Sequence, residues 1–104
     1  MNFKAISERI PLQARQYVHR LWLVGSQARG DANQHSDVDI LIEPKKISST
    51  ELLKRIRPFL HSGDRADTLA SYWGSGKNLV SERMHFVIAK SGEEKAFPER
   101  VQLN

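Results

Sequence analysis

No cysteine occurs among the 104 residues, so neither a disulfide framework nor a thiolate-ligated metal site is available. Long apolar runs are missing as well. No stretch approaches the ~20 residues that span a bilayer, and the amino-terminal MNFKAISERI lacks the apolar core of a secretory leader. The expected location is therefore cytoplasmic. There is no internal repeat, no low-complexity tract and no composition shift that marks a linker. The expectation is a single domain, 1–104, with one modest core and a polar tail, 91–104, that carries Pro98 and frays. So short a chain leaves no room for a separate domain to grip a template, and substrate choice must come from its own surface or from a partner.

Charge of one sign is also scarce. Sixteen Lys and Arg against 12 Asp and Glu give a net charge of +4, and the basic residues are dispersed. The densest group is Lys54, Arg55 and Arg57 on an expected helix. Such a balance fits ordinary solvated surface first, and a triphosphate or an acidic partner surface second. The four histidines, His19, His35, His61 and His85, show no metal-ligand spacing and read as structural or surface residues.

What is present is concentrated in Leu21–Glu43, LWLVGSQARGDANQHSDVDILIE. Ten residues separate Gly25-Ser26 from Asp37, and Asp39 follows at strand spacing. A Gly-Ser turn offers a hydroxyl and backbone N–H groups suited to a phosphate. Side chains alternate along a strand, so Asp37, Asp39 and Leu41 share one face while Val38, Ile40 and Ile42 point to the core. Two adjacent carboxylates repel unless a cation lies between them. A phosphate cradle facing a carboxylate pair implies Mg²⁺-assisted chemistry on a nucleotide, with Asp37 and Asp39 as ligands. A second Gly-Ser, Gly74-Ser75, serves as an internal control. Phe86 stands where the first carboxylate would have to be, and Ser71 and Asn78 break the P-loop pattern around Gly76-Lys77.

The rest of the chain alternates helix and strand. Residues 3–19 read as helical, with Pro11 starting a helix or dividing two, and with Leu12, Tyr17 and Val18 as the buried side. Leu21–Val24 and Val38–Glu43 read as strands, and 25–36 as an exposed loop. Ser48 and Glu51 form a capping box that opens a helix through Leu52, Leu53 and Ile56. Ala66–Ala70 suggests a third strand, Gly74–Lys77 a turn, Asn78–Met84 a short helix, and His85–Ala89 a fourth strand. Trp22 and Trp73 read as core residues.

The pattern at Gly25, Ser26, Ala28, Arg29, Gly30, Ser36, Asp37, Asp39 and Ile40 resembles the core of the DNA polymerase beta nucleotidyltransferase superfamily. It is most similar to the minimal nucleotidyltransferases encoded beside HEPN-domain toxins. The resemblance implies an α/β fold, a small mixed sheet of about four strands with flanking helices on one side. It implies that Gly25 and Ser26 bind the β- and γ-phosphates of ATP, that Arg29 steadies the triphosphate, and that two Mg²⁺ ions ~3.5–4 Å apart clamp an in-line displacement. For Arg29 an ordinary surface pairing with Asp31 stands beside that role. A third catalytic, metal-binding carboxylate is implied after the next helix. Asp67 in Arg65-Ala66-Asp67-Thr68-Leu69 fits the place, although Thr68 departs from the usual apolar neighbour. Asp64 is close by but precedes the strand.

The implied activity is transfer of AMP from ATP to a hydroxyl, a tyrosine of a cognate HEPN toxin, which the chain would silence as an antitoxin. Two rivals remain: transfer to RNA or a small molecule, and a non-catalytic module that neutralises a toxin by covering it.

Overall fold

Pro11 divides the amino-terminal helical stretch in two. In the computed structural model, which describes residues 3–30, 38–61, 63–73 and 84–104, helix α1 is Phe3–Arg9 and α2 is Leu12–Arg15. Pro11 caps α2 in an extended conformation, φ −52° and ψ 137°, which reorients the second helix. Ile6, Ile10 and Ala14 are consequently the buried side, and Leu12 is 73% exposed. This corrects the sequence reading that buries Leu12. The helical stretch also ends earlier than residue 19. Strand β1 spans Val18–Val24, and the Lys45 N–H donates to the Tyr17 carbonyl (2.8 Å), extending the pairing beyond it. Aromatic and β-branched residues at 17, 18 and 22 favour this extended chain.

The segment after Val24 is also more regular than a loop. Gly25–Arg29 forms a short helix, α3, closed by Gly30 in the left-handed region (φ 78°), whose N–H donates to the Ser26 carbonyl. Strand β2, Val38–Pro44, is buried on both faces along most of its length, as suits a central strand. Helix α4, Ser49–Ile56, begins as the capping residues require: Ser48 Oγ accepts from the Glu51 N–H at 3.1 Å. Leu52, Leu53 and Ile56 recur on one side and are buried. A 3-10 turn, Arg57–Phe59, carries Pro58 and leads towards β3, Arg65–Thr68. That strand is shorter than the sequence suggests, because Leu69–Trp73 turns into helix α5. Strand β4 is Met84–Ile88, so Met84 belongs to a strand and not to a helix. The expected turn at 74–77 and helix at 78–83 lie outside the described residues.

The sheet has five strands in the order β3-β4-β2-β1-β5, where β5 is Val101–Gln102. β2 runs parallel to β4 and β4 to β3, while β1 is antiparallel to both β2 and β5. The fold is thus the expected mixed α/β sheet with flanking helices and one more strand. The carboxyl-terminal stretch has regular structure of its own. It forms a 3-10 turn at Glu93–Ala96, buries Phe97, and adds β5 to the edge of β1. Asn104 locks that edge, its side chain accepting from the Leu21 N–H (2.8 Å) and donating to the His19 carbonyl (3.1 Å).

Each face of the sheet carries its own cluster. Ile40, Ile42, Phe86 and Ile88 pack with α1, α2 and α4 on one side. On the other, Val24, Leu41, Val87, Ala89 and Phe97 pack with Trp22 and with Leu69 and Tyr72 of α5, so helices cover both faces rather than one. No helix among the described residues is long and apolar enough to cross a membrane.

Candidate active site

The second face is apolar in the middle of the strands and polar at one end. β1 ends at Val24, paired with Asp39 of β2, and Asp39 is in turn paired with His85 of β4. Arg65 of β3 is paired with His85, which by strand alternation puts Asp67 on the same face as Asp39 and His85. Four strands therefore converge where β1 finishes and where β2, β3 and β4 begin.

Gly25 stands at the centre of this junction. It adopts φ +72°, a conformation costly for any residue with a side chain. A Cβ placed there would overlap the Asp39 carboxylate, with Cγ only 3.2 Å away. The Gly25 backbone therefore lies directly against that carboxylate, which is why glycine is required. Ser26 follows in the first turn of α3 and is partly buried, whereas Arg29 at the end of α3 is exposed. Asp37 and Asp31 lie outside the described residues.

The Asp39 side chain is 14% exposed. Tyr72 Oη of α5 donates to its Oδ2 at 3.1 Å, and His85 Nδ1 lies 4.0 Å from Oδ1. The tyrosine ring rests between two neighbours, 5.2 Å from His85 and 5.8 Å from Phe97 by centroid. His85, only 4% exposed at its side chain, reaches the other way as well: Nε2 is 2.7 Å from Asp67 Oδ2. The second Asp67 oxygen accepts from Arg57 Nη2 at 3.1 Å, and the same guanidinium donates through Nε to the Ala66 carbonyl at 3.0 Å. Arg65 Nη2 is 3.9 Å from Asp67 Oδ2.

The two candidate third carboxylates are placed very differently. Asp67 faces His85 and Asp39. Asp64 has no exposed side-chain surface; it accepts both arms of the Arg9 fork, Nε at 3.1 Å, and the Met84 N–H at 3.1 Å. A bidentate guanidinium and a backbone N–H use this carboxylate to tie α1 to the start of β4.

Three site residues escape sequence reasoning: His85, Tyr72 and Arg57. For His85 a signal exists, since it opens an apolar run just as Asp39 does, but the pairing of β4 beside β2 is needed to put them together. Of the basic cluster, Arg57 is committed to β3 and the Arg55 guanidinium lies over the Tyr17 ring at 4.8 Å. Among the described residues no three His, Asp or Glu side chains are gathered closely enough to hold a metal ion. The donors present nevertheless suit a cation of the Mg²⁺ kind. Such an ion takes one or two protein carboxylates and completes its shell with phosphate oxygens and water.

A family model described as a nucleotidyltransferase domain matches residues 4–96. No curated protein and no solved structure matches the chain. Nucleotidyltransferase domains generally use Mg²⁺ and nucleoside triphosphates, and the matched span includes β1, the Gly25-Ser26 junction, Asp39, Asp67 and His85. The chain belongs to the nucleotidyltransferase domain family of the polymerase-beta-like superfamily.

Proposed function

We propose that the chain transfers AMP from ATP onto a protein hydroxyl, a tyrosine of a cognate HEPN-type ribonuclease toxin, and so acts as an antitoxin. The observation that carries the nucleotidyl-transfer part is the packing of the Gly25 backbone on the Asp39 carboxylate, within a chain that belongs to the nucleotidyltransferase family. The antitoxin part is supported by the likeness of the Gly25–Ile40 pattern to the minimal nucleotidyltransferases.

In this reading Gly25 and Ser26 hold the β- and γ-phosphates, and Arg29 steadies the triphosphate from the end of α3. Asp37 and Asp39 hold Mg²⁺, which when bound neutralises phosphate charge and polarises the α-phosphoryl group. Tyr72 keeps the Asp39 carboxylate in place. Asp67 supplies the third carboxylate and serves the acceptor side. The acceptor oxygen bonds to the α-phosphorus as the bond to the bridging oxygen breaks. Pyrophosphate leaves, and the hydroxyl proton passes to a carboxylate of the site.

Incubation of the chain with ATP, Mg²⁺ and the product of the neighbouring reading frame tests this. An AMP-sized mass added to that protein on tyrosine is the expected result. Efficient tailing of RNA by the chain alone, with no mass added to a protein, would replace the proposed acceptor.

A further inference from the structure

We propose that Tyr72 is itself an acceptor: when no partner hydroxyl is present, the chain transfers AMP onto its own Tyr72 and so caps its site. This rests on the nucleotidyl-transfer reading above and adds to it a modification site within the chain.

The chain holds two tyrosines, and their surroundings are opposite. Tyr17 stands before β1, at the end of the sheet away from Gly25, and packs on the first cluster beneath the Arg55 guanidinium. Tyr72 packs with the second cluster, and its Oη donates to Asp39 Oδ2 at 3.1 Å. A hydroxyl within hydrogen-bond reach of a carboxylate already has a base for the proton it loses on attack. The same carboxylate belongs to the set that holds the cation in this reading, so the hydroxyl stands beside the place where the triphosphate is gripped. The neighbouring Ser71 hydroxyl is occupied elsewhere, accepting from Thr68 Oγ1 at 3.3 Å.

The ring is held on two sides, 5.2 Å from His85 and 5.8 Å from Phe97 by centroid, yet Tyr72 is only partly buried. A fixed ring presents its oxygen without the entropy cost of a bimolecular encounter, which lets an internal acceptor compete with a protein arriving from solution. On transfer the Tyr72 oxygen bonds to the α-phosphorus of ATP. The bond from that phosphorus to the bridging oxygen breaks with its electron pair, pyrophosphate leaves, and the phenolic proton passes to the Asp39 carboxylate. The product is a phosphodiester whose tyrosyl oxygen no longer donates to Asp39 and whose nucleotide lies where the next ATP must bind. Self-transfer is thus a brake, which a partner hydroxyl avoids by reaching the phosphorus first.

The test incubates the purified chain alone with ATP and Mg²⁺ and reads intact mass, the modified peptide and ATP affinity. The expected result is a single AMP-sized mass on Tyr72, gained with a first-order rate constant that does not change on dilution. Tyr17→Phe keeps the addition and Tyr72→Phe loses it. The peptide map of the wild-type chain identifies the residue by itself, so the conclusion does not depend on how Tyr72→Phe folds or holds Asp39. By calorimetry the modified chain no longer binds ATP; retained binding overturns the brake. AMP on another residue, a rate constant that falls on dilution, or no self-addition by a chain that binds ATP in Mg²⁺ overturns the self-acceptor and leaves the nucleotidyl-transfer reading standing. No Mg²⁺-dependent ATP binding, with no AMP added to any protein, overturns both.

Discussion

Replacing Gly25 by alanine strikes the backbone and the site at once, and its cost can be built from two parts. The left-handed conformation, φ +72°, costs a residue with a Cβ about 1–2 kcal/mol. The new methyl group also overlaps the Asp39 carboxylate, which must swing away and lose the hydrogen bond from Tyr72. A hydrogen bond to a charged group contributes about 1.5–3 kcal/mol, so the sum is about 2.5–5 kcal/mol. In a domain of this size that is a fall in melting temperature of roughly 11–23 °C. Gly30 supplies the control. It has a similar φ, +78°, but a Cβ there meets nothing within 4 Å. Gly30→Ala should therefore lose only the conformational part, about 1–2 kcal/mol. Urea titrations of the two variants measure the difference, and Mn²⁺ titrations of the folded proteins should show affinity lost in Gly25→Ala and kept in Gly30→Ala. Equal losses of stability and intact Mn²⁺ affinity in both would refute the contact between the glycine and the carboxylate as the reason for Gly25.

Three further outcomes are expected. Asp67→Asn should lower AMP transfer far more than it lowers ATP affinity, because the proposed function gives Asp67 to the acceptor side; label transfer from α-³²P-ATP beside calorimetric titration reads the split. Asp64→Ala should act oppositely, costing about 1–3 kcal/mol by leaving the buried Met84 N–H without its acceptor, while the folded fraction still binds ATP; a transfer defect without loss of stability would exchange the roles of the two aspartates. Ser48→Ala should cost about 1 kcal/mol in urea unfolding, since it removes the acceptor for the Glu51 N–H, and should leave ATP binding unchanged.

Local rules made much of this molecule legible in the sequence. Alternation along β2 correctly separates Asp39 and Leu41 from Val38, Ile40 and Ile42, because the period of a strand is fixed by its pleat. The Ser48 cap and the buried Leu52, Leu53 and Ile56 follow from helix geometry in the same way. What was not legible depends on distant partners. Leu12 reads as buried even with Pro11 starting a helix or dividing two; which side of the short α2 meets the sheet is set by tertiary packing, which buries Ala14 and leaves Leu12 outside. His85 has no ligand spacing in the sequence; strand order β3-β4-β2 alone sets it between Asp39 and Asp67. The polar tail looks unfit for a core, yet Phe97 fills the second cluster and Asn104 satisfies backbone groups at the edge of β1. Polarity there signals hydrogen bonding to an open strand edge, which composition cannot distinguish from disorder.

The central claim is that the Gly25-Ser26 turn after β1, with Asp37 and Asp39, receives a metal-bound triphosphate. Calorimetric titration of the chain with ATP, in Mg²⁺ and again in EDTA, tests it most directly. The triphosphate and the carboxylates repel without a bridging cation, so affinity in Mg²⁺ should exceed that in EDTA by about tenfold or more, equivalent to ~1.4 kcal/mol. The paired variant Asp37→Asn/Asp39→Asn should lose that difference. Equal ATP affinity with and without Mg²⁺ in the wild-type chain would contradict the account.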